Sequence, residues 1–216
     1  MLTLGVAVPC HAGHEQYIDS LIDNILLSTL RPQEIVISCS GWIESRSDVY
    51  VRDGVNIQII YDPRILNAAQ NRNIAGSYIT SDVISFIDVD DLMHPKRLEY
   101  ITNAFESEVN TDVVYHSYRR LHSTKRQEPF WEIDSINIVH SRVIGNPRAY
   151  GLMVEIDPTM PIHHAHVSLK RKIFEKIKFD ENQSFHRLED SVYGKRLAVS
   201  GYRIVYLSNE LSKYMY

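Results

Sequence analysis

The chain has 216 residues, of which 44% are hydrophobic and 23% are charged, so its composition excludes a disordered or fibrous protein. Its formal net charge of −4 argues against a nucleic-acid-binding protein, because a surface that follows phosphates needs concentrated lysine and arginine. The sequence contains neither an apolar run of about 18 residues nor a charged and then apolar leader, so we expect no membrane span and a cytoplasmic location.

The first half of the chain predicts alternating strands and helices. Residues 2–8 form a short apolar strand, and from Tyr17 the apolar residues recur at helical spacing until Arg31 and Pro32 end the helix. The later elements of this half are strands over 34–39 and 55–61, a helix over 66–79 that opens near Asn67, a strand over 83–87, a helix over 95–105 with Pro95 in its first turn, and a strand over 113–118. This order predicts an α/β fold with a mostly parallel sheet and helices on both faces. Binding clefts of such sheets lie at the carboxyl ends of the strands.

The second half of the chain is less regular. The segment 129–161 mixes aromatic, glycine, proline and charged residues without a helical period, and we interpret it as short strands and loops beside the site. The elements predicted after it are a strand over 167–169, an amphipathic helix over 170–178, a helix over 188–199 and a strand over 202–207.

Three carboxylates, Asp88, Asp90 and Asp91, follow the strand predicted over 83–87. Like charges this close repel by about 1 kcal/mol per pair even through water. A divalent Mg²⁺ or Mn²⁺ ion would offset the repulsion, since such ions take one or two protein carboxylates together with phosphate and water oxygens. An acidic turn that caps the next helix is the alternative, and the motif alone leaves both open.

Three of the ten histidines lie in the run His163-His164-Ala165-His166. On a strand, His164 and His166 would share one face and His163 would point to the other. A zinc site would require further ligands, which the sequence does not offer nearby. We therefore expect one histidine, preferably His166, to complete the coordination of the metal near Asp91 or to contact a diphosphate bound there. The alternative is that the histidines line the site as polar groups or pack in the core.

In order, the segments VAVPCH, EIVISCSG, NAAQNRNIAGSYITSDVISFIDVDD, HVSLKRKIFEKIKFDE and LEDSVYGKRLAVSGYRIVY resemble the GT-A glycosyltransferases of the large inverting family 2 type. The resemblance runs from Leu4 to about Tyr206 and includes compact viral members, such as a chlorella virus glycosyltransferase. It implies a GT-A, Rossmann-like fold in a single domain over 1–216. We expect a nucleotide-binding half over 1–118 and a smaller, mixed acceptor-side half over 119–216.

The resemblance also implies where the nucleotide binds. The loop after the first strand, here Pro9, Cys10 and His11, would hold the base. The family's acidic residue after the second strand, which contacts uracil, is absent here, and Ser40 stands in that region. Arg72, in Asn71-Arg72-Asn73, would lie near the nucleotide.

The same resemblance assigns roles to the carboxylates. Asp88 and Asp90 would contact the nucleotide, with Asp90 nearer the ribose, while Asp91 would be the principal metal ligand, with Asp90 and His166 as further candidates. Asp190 matches the family's catalytic base. Glu189 would bind the acceptor or hold its loop, although acids at a helix start also act as caps.

The resemblance implies a metal-dependent inverting transferase that uses Mn²⁺ or Mg²⁺ and moves a sugar from a nucleotide sugar, expected to be a UDP-sugar, to a carbohydrate hydroxyl. A non-catalytic nucleotide-sugar-binding module is one alternative. A sugar nucleotidyltransferase is another, but it normally needs a glycine-rich, basic phosphate loop that residues 11–14 do not provide. A zinc hydrolase built on the histidine cluster is a third alternative.

Overall fold

The computed structural model describes residues 2–108, 110–139, 143–145, 152–154, 162–185 and 187–216. In chain order its strands and α-helices are β1 (Leu4–Cys10), α1 (Ile18–Leu26), β2 (Glu34–Ser40), β3 (Arg46–Arg52), β4 (Val55–Asp62), α2 (Ala68–Tyr78), β5 (Val83–Phe86), β6 (Leu92–Met93), α3 (Arg97–Ser107), β7 (Val113–Leu121), β8 (Ile138–Val139), β9 (Val143–Gly145), β10 (Leu152–Val154), β11 (Ser168–Lys170), α4 (Arg171–Phe174), α5 (Glu189–Val199) and β12 (Ile204–Met215).

Ten of the described strands form one sheet, in the order β3-β4-β2-β1-β5-β11-β7-β12-β6 with β8 beside β12. Strands β4, β2, β1 and β5 run parallel, and so do β7 and β12. Strands β3, β6, β8 and β11 pair antiparallel with their neighbours. Strands β9 and β10 form a separate antiparallel pair. The predicted α/β class with a mostly parallel sheet is confirmed.

Helices cover both faces of the sheet because successive strand residues point to opposite sides. Val6 and Val8 of β1 pack in a cluster with the apolar residues of α1 and α3. Ala7, which lies between them, packs in a second cluster with residues of α2 and α5. In the part of the chain that the structure describes, no helix is both long and apolar enough to cross a bilayer.

Four details of the sequence prediction are wrong. Strands β3 and β6 were not predicted. The predicted helix over 170–178 is limited to α4, because Asn73 exchanges hydrogen bonds with the backbone of Phe179 and holds the following segment as a loop. Helix α3 begins at Arg97, so Pro95 precedes the helix instead of standing in its first turn. Strand β12 continues to Met215, eight residues beyond the predicted end at Leu207, and thereby reaches the candidate site.

Candidate functional site

The acidic turn after β5 places Asp91 in the interior of the protein. The Asp91 backbone N–H donates to the Asp88 carbonyl oxygen at 3.2 Å and closes the turn. The Asp91 side chain is buried, and its Oδ1 accepts a hydrogen bond of 2.8 Å from the backbone N–H of Met215 in β12. These two contacts direct the other oxygen, Oδ2, toward a pair of histidines.

Asp91, His163 and His166 form a buried cluster. Asp91 Oδ2 lies 2.9 Å from His166 Nε2 and 3.5 Å from His163 Nε2. The two imidazole rings are stacked, with centroids 3.6 Å apart and an angle of 3° between their planes. One ligand atom from each of the three side chains lies within 4.8 Å of the others.

The sequence prediction that His164 and His166 share a face and that His163 points away is wrong, because His163 lies beside His166 in this cluster. Residues 163–166 form a turn, in which the His166 N–H donates to the His163 carbonyl oxygen at 3.1 Å. A turn brings its first and fourth residues together, whereas the prediction assumed the two-residue alternation of a strand. His163 is therefore a site residue that was predicted to face away from the site, although it belongs to the same histidine run as His166.

The donor atoms of the cluster fit a divalent transition-metal ion. Asp91 Oδ2 and both ring nitrogens of His163 are buried and have no hydrogen-bond partner among the described residues. Burial, His163 and Arg97 keep the pKa of His166 well below its usual value, so this imidazole is neutral, as a metal ligand must be. Its other nitrogen, Nδ1, lies 2.9 Å from Ser212 Oγ, a contact of the kind that orients a ligating imidazole.

A buried arginine joins two of the predicted carboxylates. Arg72 donates from Nη2 to Asp88 Oδ1 and from Nη1 to Glu189 Oε1, each at 2.8 Å. Burial opposes the charge of this guanidinium, but Asp88, Asp190 and Glu189 outweigh burial and raise the pKa of Arg72. Arg72 therefore ties the end of β5 to the start of α5, and its side chain is only 4% exposed.

Asp190 lines an open cleft beside the histidine cluster. It stands in the first turn of α5, where its Oδ1 accepts a hydrogen bond of 2.6 Å from the Ser191 backbone N–H. The cleft has a volume of about 290 Å³, and its other lining residues are Tyr118, Arg120, Ile162, His163, His164 and Tyr214. His163 thus belongs both to the possible metal cluster and to the wall that Asp190 shares.

Asp90 faces a different environment from Asp91. Its Oδ2 lies 3.7 Å from His14 Nδ1, and its backbone oxygen accepts a hydrogen bond from Arg126. Burial, together with the carboxylates of Asp91 and Asp88, raises the pKa of Asp90 to about 6. The cluster that could hold a metal consists of Asp91 and two histidines, so Asp90 stands beside it and is not one of its members.

The predicted base-binding residues lie at the carboxyl ends of β1 and β2. Cys10 and Cys39 are neighbours in the sheet register and are free buried thiols, and a hydrogen bond between them, together with burial, raises the pKa of Cys10. Pro9 is also buried, whereas His11 is exposed, with its ring centroid 4.0 Å from that of His14.

Ser40, in the region where the family's acidic residue is absent, is tied to helix α2. Its hydroxyl accepts a hydrogen bond of 2.9 Å from the Asn71 side-chain amide. Asn71 in turn accepts a hydrogen bond of 2.9 Å from the Ser38 hydroxyl.

Solved structures with the same fold include a protein of S. aureus and one of Pyrobaculum calidifontis. The S. aureus TarS 1-349 complex with UDP has a TM-score of 0.69 and 15% identity, with coverage of 100% of this chain and 61% of that one. The complex of TarS 1-349 with UDP-GlcNAc has a TM-score of 0.68 and 16% identity, with coverage of 100% and 59%. The mannosyltransferase PcManGT from Pyrobaculum calidifontis, in complex with GDP-Man and Mn²⁺, has a TM-score of 0.61 and 16% identity, with coverage of 99% and 56%. The chain thus spans about three fifths of the length of these neighbours.

Most of the sequence matches one known protein family. No curated protein sequence matches the chain. Residues 5–178, well over half of the 216 residues, match the sequence model of the family described as Glycosyl transferase family 2. The chain therefore belongs to glycosyl transferase family 2, a family of glycosyltransferase enzymes, and it has the GT-A fold.

Proposed function

We propose that this chain is a metal-dependent, inverting transferase domain that moves a sugar from a nucleotide sugar to a carbohydrate hydroxyl group. The observation that carries the proposal is the position of His163, which belongs both to the cluster of possible ligands with Asp91 and His166 and to the wall of the cleft that Asp190 lines. Asp91 Oδ2 and the ring nitrogens of His163 are buried without a hydrogen-bond partner among the described residues, and Asp190 is a partly exposed carboxylate in that cleft.

The chemistry explains why both groups are needed. The bond between the anomeric carbon and the diphosphate oxygen breaks, and the diphosphate leaves with the electron pair. A divalent ion, when bound, stabilises this developing negative charge. Asp190 accepts the proton of the attacking hydroxyl group as its oxygen bonds to the anomeric carbon. Attack from the face opposite the diphosphate inverts that carbon and requires no nucleophile from the protein.

Arg72 has a positioning role in this proposal. Its ion pair with Glu189 fixes the first turn of α5, which also carries Asp190, and its ion pair with Asp88 fixes the acidic turn. We had expected Arg72 and Asp88 to contact the nucleotide. The burial of Arg72 favours instead a positioning role, in which it holds Asp190, the proposed catalytic base, at a constant distance from the acidic turn.

We propose Mn²⁺ in preference to Mg²⁺ as the ion. Mg²⁺ prefers oxygen ligands, whereas two imidazole nitrogens and one carboxylate suit a first-row transition metal. Asp91, His163 and His166 would be the protein ligands, which leaves coordination positions for diphosphate oxygens. Asp90, which the sequence suggested as a further ligand, would lie beside the metal cluster without being one of these three ligands.

For the donor we propose a UDP-sugar, bound by the half over 1–118, with the acceptor bound by the half over 119–216. The resemblance of the motifs and the UDP complexes of TarS support uracil. A donor screen must also include GDP-sugars, because the acidic residue near Ser40 is absent and PcManGT is in complex with GDP-Man.

The test is the release of nucleoside diphosphate from UDP-sugars and GDP-mannose in the presence of Mn²⁺, with several carbohydrate acceptors. We expect UDP to be released from the UDP-sugar when Mn²⁺ is present and not when it is absent. Donor binding without release across all acceptors would favour the non-catalytic module. Release of pyrophosphate would indicate the nucleotidyltransferase, and a stoichiometric bound zinc ion with hydrolysis alone would indicate the zinc hydrolase.

A further inference from the structure

Strand β7 carries two consecutive arginines that point to opposite sides of the sheet. Arg119 donates from Nε and Nη2 to Glu210 at 2.9 and 2.5 Å, and its guanidinium stacks 3.9 Å from the centroid of Trp131. Arg120 lines the cleft that also contains Tyr118 and Asp190. The alternation of a strand explains the difference, because residues 118 and 120 share a face and residue 119 does not.

Among the described residues, Arg120 is a cation of this cleft that has no carboxylate partner. Arg119 has a carboxylate partner, but no described carboxylate lies within 4.0 Å of Arg120. Its guanidinium lies 4.3 Å from the ring centroid of Tyr216 and 5.9 Å from that of Tyr214. Contact with ring faces leaves the N–H groups at the edge of the guanidinium free, in the fork that binds phosphate or carboxylate oxygens in pairs.

Aromatic rings connect Arg120 to the candidate metal cluster. Tyr118 lies 4.9 Å from His163 and 5.8 Å from Tyr214, and His163 lies 5.0 Å from Tyr214, between ring centroids. Two residues along a strand cover about 7 Å, so Arg120 lies about 7 Å farther along β7 than Tyr118, the tyrosine that contacts His163. The Asp190 carboxylate on the same cleft would repel an anion, and Arg120 supplies the opposite charge.

We infer that Arg120 binds a phosphate-type oxyanion of the substrate in the cleft beside Asp190. The inference rests on the proposed function for the location of the reaction. Two sources share this chemistry: the diphosphate of the donor, and a phosphate group carried by the acceptor. The arrangement fits a substrate phosphate because ring contacts position the Arg120 guanidinium and leave the N–H groups at its edge able to donate hydrogen bonds.

The test measures binding to the full chain loaded with Mn²⁺, by calorimetry, for R120Q, R120K and R119Q. R119Q is the matched control, since it removes the neighbouring charge on the opposite face. The first probe is UDP, compared with uridine. The second is methyl phosphate, added to the protein loaded with Mn²⁺ both in the absence and in the presence of saturating UDP. Thermal unfolding of each variant verifies that the exposed substitution leaves the fold intact.

We expect R120Q to weaken one of the two probes about tenfold or more, R120K to weaken it less because the charge remains, and R119Q to leave both unchanged. Loss of UDP affinity without loss of uridine affinity identifies the donor diphosphate as the ligand. Loss of methyl phosphate binding alone identifies an acceptor phosphate.

The inference is overturned if R120Q binds both probes as the wild type does, or if R119Q weakens them equally. These results are distinct from a failure of the proposed function. If the wild type bound methyl phosphate through Arg120 but bound neither UDP nor GDP, the donor assignment would be wrong and the role of Arg120 would be supported.

Discussion

Replacing Arg72 with glutamine removes the buried cation that joins Asp88 to Glu189. Both ion pairs measure 2.8 Å, and the Arg72 side chain is 4% exposed while that of Glu189 is 12% exposed. Removal of one partner from a buried ion pair costs about 3–5 kcal/mol, because the remaining charge stays buried without compensation. For a chain of this size each kcal/mol corresponds to about 2–4 °C, so we expect R72Q to lower the melting temperature by about 6–20 °C.

The assay is thermal and urea unfolding of the metal-free protein, followed by circular dichroism. R64Q is the control, since Arg64 pairs with Asp62 at 2.6 Å but its side chain is 71% exposed, and exposed pairs contribute little. Adding E189Q to R72Q removes one orphaned charge and should recover part of the loss. Equal destabilisation by R72Q and R64Q would show that the buried ion pairs contribute no more than an exposed one.

Three further predictions concern catalysis, acidity and packing. Asp190→Asn should leave nucleotide-sugar binding nearly intact and reduce turnover at least about 10²-fold, and near-normal turnover in the diphosphate-release assay would refute the assignment of the base. Burial, Arg97 and His166 keep the pKa of His116 well below 6.5, so below pH 6.5 the unfolded chain takes up a proton that the folded protein does not. The free energy of unfolding therefore falls as the pH drops, by up to about 1.4 kcal/mol per pH unit for this group. Urea titrations at pH 7.5 and 5.5 should show a smaller fall in the free energy of unfolding for His116→Asn than for the wild type. Equal falls in the two proteins would contradict the assignment of this effect to His116. A Cβ at Gly76 would lie 2.6 Å from Phe174, so Gly76→Ala should cost about 1–3 kcal/mol in urea unfolding, whereas an equally stable variant would show that the ring can move aside.

The sequence predicted the elements that carry either a continuous apolar run, as in β1 and β2, or an apolar helical face, as in α1. The helix predicted to open near Asn67 does so, with Asn67 as its N-cap and reciprocal hydrogen bonds to Gln70. Strand β3 was missed because it forms the outer edge of the sheet and most of its residues are exposed. Such an edge strand has no buried face, so its sequence carries no two-residue hydrophobic pattern.

The candidate site was predictable where it depends on a strand end and not where it depends on distant contacts. The carboxylates from Asp88 to Asp91 were found from their position after an apolar strand. The ion pair between Arg72 and Glu189 joins residues 117 apart in the chain, and no local pattern indicates it. His163 was assigned to the wrong side because a turn and a strand place the same four residues differently.

Anomalous diffraction at the manganese edge, on crystals grown with MnCl₂ and UDP, would locate the metal ion and its ligands. We expect one strong peak coordinated by Asp91, His163 and His166, with diphosphate oxygens completing the coordination in the cleft that Asp190 lines. A map with no manganese among these three side chains, or with the ion bound elsewhere beside the nucleotide, would contradict this expectation.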